Sequence, residues 1–277
     1  MSWVSYADAP AGKTIFRHLC DTFGRPKPKR RYEAGMKVPG LSFDHENVAR
    51  EMGAFFARYG ISPWRSLQSG QSNLMGASLY YNPDAPEDEW ICGSFGHPRY
   101  QEFGDYYKAV SQDDANLVKG DYLDSYSFRR RHFGIQAVCP ELNALLDRFK
   151  TPIVRATARL VHLPGWAGTS MGGFHFDESP DCIMRVNLAV VNNGDFGLQY
   201  QHNGDIEMPR SGDHSVVCAD HAHRVYVPHP TIHSRLHLVI GVVPWYDYDP
   251  VADAWKPNQY HGQIHPFDMV KEGLIFA

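Results

Sequence analysis

From residue 153 the chain runs Ile153-Val154-Arg155-Ala156-Thr157-Ala158-Arg159-Leu160, and apolar and polar side chains alternate along it. On an extended strand Val154, Ala156, Ala158 and Leu160 share one face, and Arg155, Thr157 and Arg159 the other. The pattern fits a half-buried strand, and equally a barrel strand with a polar lumen face. A similar run covers Ile183 to Val191, with Arg185 and Asn187 on one face and Met184, Val186, Leu188 and Val190 on the other. Asn193-Gly194 and Asn203-Gly204 are hairpin-turn signals between apolar runs. Further strands are expected at 214–219, 223–227 and 235–243. Short strands joined by tight turns indicate an antiparallel sandwich or barrel, so 153–245 reads as an all-β core.

Upstream the periodicity is helical. Val48, Met52, Phe55, Phe56 and Tyr59 line one face of a helix expected from the N-cap Asp44 to Tyr59, stopped by Gly60. A second helix is expected from Pro140, with the stripe Leu142, Leu145, Leu146 and Phe149 and an end at Pro152. Both stripes read as core contacts. The chain is thus expected to be one domain, 1–277, mainly β in an α+β arrangement. Residues 1–152 form a helical and mixed accessory region bracing the barrel. Residues 246–277, with Tyr260-His261 and His265-Pro266, form a C-terminal extension or lid.

Composition narrows the function. The 277 residues are 43% hydrophobic with a net charge of −4, enough for one sizeable core and without the basic footprint of a nucleic-acid binder. The run Arg25-Pro-Lys-Pro-Lys-Arg-Arg31 reads as a solvated, proline-stiffened loop. Arg129-Arg130-Arg131 also reads as a solvated run, with an anion clamp as the alternative. No stretch is long and apolar enough to span a bilayer, and the first residues lack the pattern of a signal peptide, so no membrane partner and a cytoplasmic location are expected. The five cysteines, Cys20, Cys92, Cys139, Cys182 and Cys218, are scattered and read as reduced core or near-core thiols.

The 15 histidines point to metal or acid–base chemistry. His175-Phe176-Asp177 is an HxD spacing that chance alone supplies about once in such a chain. On a strand, however, residues 175 and 177 point the same way and can grip one ion. An imidazole and a carboxylate are two of the three ligands of the facial triad of non-haem Fe(II) oxygenases. The third ligand should be a later histidine. Asp220-His221-Ala222-His223-Arg224-Val225-Tyr226-Val227 offers His223, with His221 as its rival on the same strand face. Arg235, opening Arg235-Leu-His-Leu-Val-Ile240, can hold a distal carboxylate bidentately. His202, His214, His229, His233 and His237 read as loop or core histidines. Arg155 and Arg159 either face solvent or line the lumen.

His175-x-Asp177, then His223, then Arg235-Leu-His-Leu-Val-Ile resembles the Fe(II)/2-oxoglutarate-dependent oxygenases. Ala158-Arg-Leu-Val-His-Leu163 and Arg185-Val-Asn-Leu-Ala-Val190 are similar to the aspartyl/asparaginyl β-hydroxylase and bacterial proline hydroxylase group. The resemblance covers roughly 155–245. It implies a double-stranded β-helix core of the jelly-roll, cupin-like kind. It implies Fe(II) held by His175, Asp177 and His223, with 2-oxoglutarate and O2 as cosubstrates. It places Arg235, Arg185 and Asn187 beside the 2-oxoglutarate, although Asn187 stands where relatives often have histidine. The implied reaction is hydroxylation of an unactivated C–H bond in a small molecule, an amino acid or amino-acid-derived metabolite, with release of succinate and CO2. The tyrosine-rich stretches Tyr100–Tyr107 and Trp245–Asp249 are read either as pocket walls or as ordinary core and rim. Two other readings stand beside this one: a cupin-type metalloenzyme that uses no 2-oxoglutarate, and a non-catalytic β-barrel binding or sensor protein.

Overall fold

The structure, a computed structural model, describes residues 2–10, 13–63, 74–84, 125–162, 170–229 and 233–277. Cys92 and the stretch Tyr100–Tyr107 lie outside the described residues. The first part of the chain gives β1 (Val4–Ser5), α1 (Ile15–Phe23), α2 (His45–Tyr59), β2 (Ser62–Pro63), β3 (Leu74–Ser78), β4 (Tyr80–Tyr81), β5 (Arg130–Arg131), α3 (Phe133–Val138) and α4 (Pro140–Asp147). Then come β6 (Ile153–His162), β7 (Ser170–His175), β8 (Met184–Val191), β9 (Gly197–Tyr200), β10 (Ile206–Glu207), β11 (His214–Val217), β12 (His223–Tyr226) and β13 (Ser234–Val242). Last are β14 (Tyr246–Asp249), β15 (Ala254–Pro257) and α5 (Pro266–Lys271).

Strands β6 to β13 build the core as two antiparallel sheets. One has the order β11-β8-β13-β6-β3-β2, and the other β10-β9-β12-β7. Crossing repeatedly between the two, the chain winds a jelly roll, the double-stranded β-helix of cupin-like proteins. β6, β8, β11, β12 and β13 fall where strands are expected from the sequence, while β7, β9 and β10 complete the two sheets. One turn differs. Asn203-Gly204, with Gly204 at φ 75°, joins the paired strands β9 and β10. Asn193-Gly194 does not close a hairpin, because β8 and β9 belong to different sheets; there the left-handed Gly194 turns a corner of the barrel.

Both faces of β8 and β13 are buried, for different reasons. Val186, Leu188 and Val190 face outward into the apolar core beneath α2, where Val48, Met52 and Phe55 are fully covered. The alternate residues, Arg185, Asn187, Arg235 and His237, turn toward the lumen. The lumen-face alternative for β6 is therefore the one observed: Arg155 and Thr157 are buried there and Arg159 half-buried. Opposite Ile240 the strand carries an extra residue, a β-bulge, with Arg155 at φ 48°. A non-glycine residue in that region costs about 1–3 kcal/mol, which the surroundings must hold in place.

Helix α2 forms where its caps place it. Asp44 accepts from the Asn47 backbone N–H and Gly60, at φ 92°, ends α2. Helix α4 stops at Asp147 rather than at Pro152. Phe149, expected on its stripe, packs instead against Phe276 near the C-terminus. The Trp245–Asp249 stretch is core and edge: Trp245 and Tyr246 are buried, and Tyr248 donates to Asp253. Neither basic run is simply solvated. Arg129 is buried against Asp253 and Asp84 and lies over the Tyr6 ring. Arg25 pairs with Asp181, and Arg31 with Asp268 and Glu33. Apart from Glu33, which is two residues from Arg31, these partners are remote in sequence and invisible to a local reading of charge. Cys20, Cys139, Cys182 and Cys218 are buried free thiols. No helix among the described residues is long and apolar enough to cross a membrane.

Helix α4 lacks a side-chain cap of its own at Cys139. Glu51 of α2 supplies it, accepting from the backbone N–H groups of Glu141 at 2.8 Å and Leu142 at 3.0 Å. Glu51→Ala removes the cap and leaves two donors unpaired. It is expected to lower the unfolding free energy by about 1–3 kcal/mol, measured by urea denaturation.

Candidate metal centre

His175 ends β7 and His223 begins β12, and the two face each other in the ladder between those strands. Facing residues put their side chains side by side on one surface of the sheet, and the two rings lie 4.7 Å apart. Asp177 sits just beyond β7, where its backbone N–H donates to the Ala219 carbonyl at 2.7 Å. That bond ties the segment after β7 to the turn that leads into β12. Phe176, between the two, lies near the Arg30 guanidinium instead.

The three side chains converge. The Asp177 Oδ2 oxygen is 3.9 Å from His175 Nε2 and 3.6 Å from His223 Nε2. All three ligand atoms lie within 4.8 Å of one another, the group among the described residues able to hold a metal ion. Ligand atoms at about 2.1 Å from a metal sit roughly 3 Å apart, so a modest contraction closes this set around an ion. Asp177 is 6% exposed and His223 4%, whereas the His175 side chain is 47% exposed at the mouth of the barrel.

Both imidazoles are already oriented. His175 Nδ1 lies 3.1 Å from the Gly173 carbonyl, and His223 Nδ1 lies 2.8 Å from the His221 carbonyl. A carbonyl only accepts, so each Nδ1 carries the proton. The other ring nitrogen, Nε2, is the one on the Asp177 side in both rings. His221, the rival third ligand, does not join the group. Its Nε2 is held by the Arg31 carbonyl at 3.2 Å, and its ring packs against Tyr32 and His202. Burial, aided by the Arg30 cation, pushes its pKa down to about 4. What His221 lends the site is its backbone oxygen.

The residues expected beside the cosubstrate divide. Arg185 donates one N–H to Asp177 and another to Glu178. Burial works against its cation, but the two carboxylates outweigh it and hold its pKa above the ordinary arginine value. The pairing of Arg185 with acids, rather than an open position, is what the lumen holds. Arg235 and Asn187 line a separate cavity together with His237, Ser215, Glu207 and Leu198. Arg235 is 3% exposed, and its Nε and Nη1 have no hydrogen-bond partner; nor have Asn187 Oδ1 and His237 Nδ1 in the same cavity. Burial holds the Arg235 pKa down at about 10 and that of His237 well below the histidine norm, so at neutral pH the first is charged and the second is not.

The sequence reading missed Glu178; His237, read as a loop or core histidine, is buried. Strand period puts His237 on the same face as Arg235, and the two line the same cavity. Glu178 follows the HxD, and only the fold shows that it points inward. Of the remaining histidines, His202, His229 and His233 are exposed, and His214 accepts from the Val38 backbone N–H.

No family model and no curated protein matches the chain. Solved structures do. An oxidoreductase of the 2OG-Fe(II) oxygenase family from Burkholderia pseudomallei is 16% identical and has a TM-score of 0.36, covering 72% of this chain and 79% of that one. A cupin protein from Bacteroides fragilis is 17% identical with a TM-score of 0.24, covering 31% of this chain and 64% of that one. At such identities and TM-scores, neither likeness carries an argument about the chemistry of this chain.

If the triad is the metal centre, His223→Ala is expected to abolish stoichiometric Mn(II) binding in a calorimetric titration. His221→Ala should leave the Kd within about threefold, since the backbone carbonyl that orients His223 survives the change.

Proposed function

We propose that this chain is an Fe(II)- and 2-oxoglutarate-dependent dioxygenase that hydroxylates an unactivated C–H bond of a small molecule, an amino acid or amino-acid-derived metabolite. The observation that carries the reading is the buried Arg235 guanidinium. A buried cation without a hydrogen-bonded partner is costly, by several kcal/mol, and is kept where an anion will meet it. A carboxylate matches the paired donors along a guanidinium edge, and Nε and Nη1, one on each side of this guanidinium, are left without partners by the protein. His237 and Asn187 bring further unpartnered polar atoms to the same cavity, and the Phe196 ring backs the guanidinium at 5.8 Å. A dicarboxylate that reached from this cavity to the metal centre would use both halves of the lumen.

His175, Asp177 and His223 fit Fe(II) by their chemistry: two imidazoles and one carboxylate, all oriented before any ion arrives. Bound there, Fe(II) and 2-oxoglutarate supply the oxidising chemistry, in which O2 is consumed and the oxo acid leaves as CO2 and succinate. The work of the chain is to bind and to orient. Arg235 would anchor the far carboxylate of the cosubstrate. Arg185 holds Asp177 to one orientation in the lumen. Val161 and Val239, buried on the lumen-facing strands, help to keep bulk water from the reacting end. The mouth beside the exposed His175 is the side from which a small substrate would approach.

The test is succinate formation under air by protein purified anaerobically and supplied with Fe(II) and 2-oxoglutarate. Slow uncoupled turnover is expected from the wild type. Arg235→Ala should raise the 2-oxoglutarate concentration needed for half-maximal rate by at least about thirtyfold, since cutting one partner from a buried charge pair costs 2 kcal/mol or more. Turnover indifferent to 2-oxoglutarate would instead fit cupin-type metal chemistry.

A further inference from the structure

Glu178 follows Asp177 directly in the chain and is 1% exposed. A carboxylate so deeply buried must be matched by opposite charge or it destabilises the fold. Two guanidiniums match it. Arg155 Nη1 donates to Glu178 Oε1 at 2.6 Å, and Arg185 Nη2 donates to Oε2. Arg185 Nη1 in turn donates to Asp177 Oδ2, the oxygen that lies between the two histidine Nε2 atoms. At the other end, Arg155 Nη1 also donates to Ser125 Oγ at 3.0 Å. Charge alternates along this buried row: Arg155, Glu178, Arg185, Asp177.

The backbone gives a second, independent observation. Arg155 holds φ 48° on the bulge of β6, a conformation that L residues other than glycine rarely adopt. Such strain persists only where the surroundings impose it. Here the strained residue is the one whose side chain secures the far oxygen of Glu178.

Arg185 acts on Asp177 in two opposing ways. Its hydrogen bond fixes the carboxylate, while its positive charge competes with any dication for the same oxygens. Glu178 neutralises that charge without breaking the bond. We propose that Glu178 is a positioning residue for the metal centre: acting through Arg185, it leaves the negative charge of Asp177 available to the metal while the carboxylate stays fixed. The proposal rests on the reading of His175, Asp177 and His223 as a metal centre, and extends it to residues that do not touch the ion.

The experiment is a titration of the full-length apo protein with Mn(II), followed by the EPR signal of the free ion, with thermal unfolding recorded on each variant. Glu178→Gln keeps the shape and removes the charge, and is expected to weaken Mn(II) binding about ten- to a hundredfold. Because the effect runs through Arg185, it should vanish when Arg185 is already methionine. Arg185→Met alone and Arg185→Met with Glu178→Gln should bind Mn(II) equally. An unchanged affinity for Glu178→Gln, or the same loss in both backgrounds, overturns the proposal and leaves Glu178 a structural ion-pair partner. Should Glu178→Gln fail to fold, Glu178→Asp takes its place. With the charge set one carbon short, it should weaken binding beside Arg185 and not beside Met at that position, and equal shifts again overturn the proposal. If the wild-type protein itself binds no Mn(II), the metal-centre reading falls, and the role of Glu178 falls with it.

Discussion

The contact between Arg185 and Asp177 joins the two sheets of the barrel at one end. Asp177 lies just past β7, in the four-stranded sheet, and Arg185 lies on β8, in the six-stranded one. Inside a barrel with little water, opposite charges attract far more strongly than on a surface, and an unmatched charge is far more costly. The arrangement of the lumen follows from that constraint. Glu178 is drawn in to balance Arg185, Arg155 to balance Glu178, and the backbone of β6 bulges to bring Arg155 there. Arg235 stands apart from this row, with its own cavity and with donors unsatisfied by the protein. The lumen therefore holds one region whose charges answer one another and another whose guanidinium donors the protein leaves unsatisfied.

A polar lumen has to be supported from outside. Val186, Leu188, Val190, Leu236, Leu238 and Ile240 turn outward on the strands whose alternate residues carry the guanidiniums, and are buried beneath the helical layer. Helix α2 is thus part of what makes an ionic interior tolerable. It covers the apolar side of β8 and, through Glu51, also fixes α4. Stability comes from one face of each strand and chemistry from the other, so the two can change independently by the parity of the residue number.

Much of this was legible before the fold was known. Period-two alternation places strands because side chains on a pleated backbone must alternate, and the Arg155, Arg185 and Arg235 strands appear where it does. Helix α2 was readable to its caps, since Asp44 and Gly60 act within a turn of themselves. What could not be read was contact between distant segments. Arg129 looks like one of three solvated arginines until Asp84 and Asp253 close on it. Asn193-Gly194 has the composition of a hairpin, but which strands pair is decided by sheet order, not by the turn. His221 and His223 are equivalent by strand parity, and they are separated by the register of β12 against β7 and by the Arg31 carbonyl that occupies one of them. Glu178 carries no local signal at all, because its importance lies in the two guanidiniums that reach it from other strands.

The facing of His175 and His223 bears on how the protein comes to be assembled. Strands β7 and β12 are neighbours in the sheet yet lie far apart in the chain, and β8 to β11 must be threaded between them. Pairings of such long range form late, because loop closure costs entropy before the contact repays it. A nascent or refolding chain therefore offers an ion only the local pair His175 and Asp177, a weak and unselective grip. The full ligand set arises in the same step that closes the barrel. A metal held by these three residues would stabilise the finished fold by mass action but would have little means of templating it, so loading would follow folding rather than lead it.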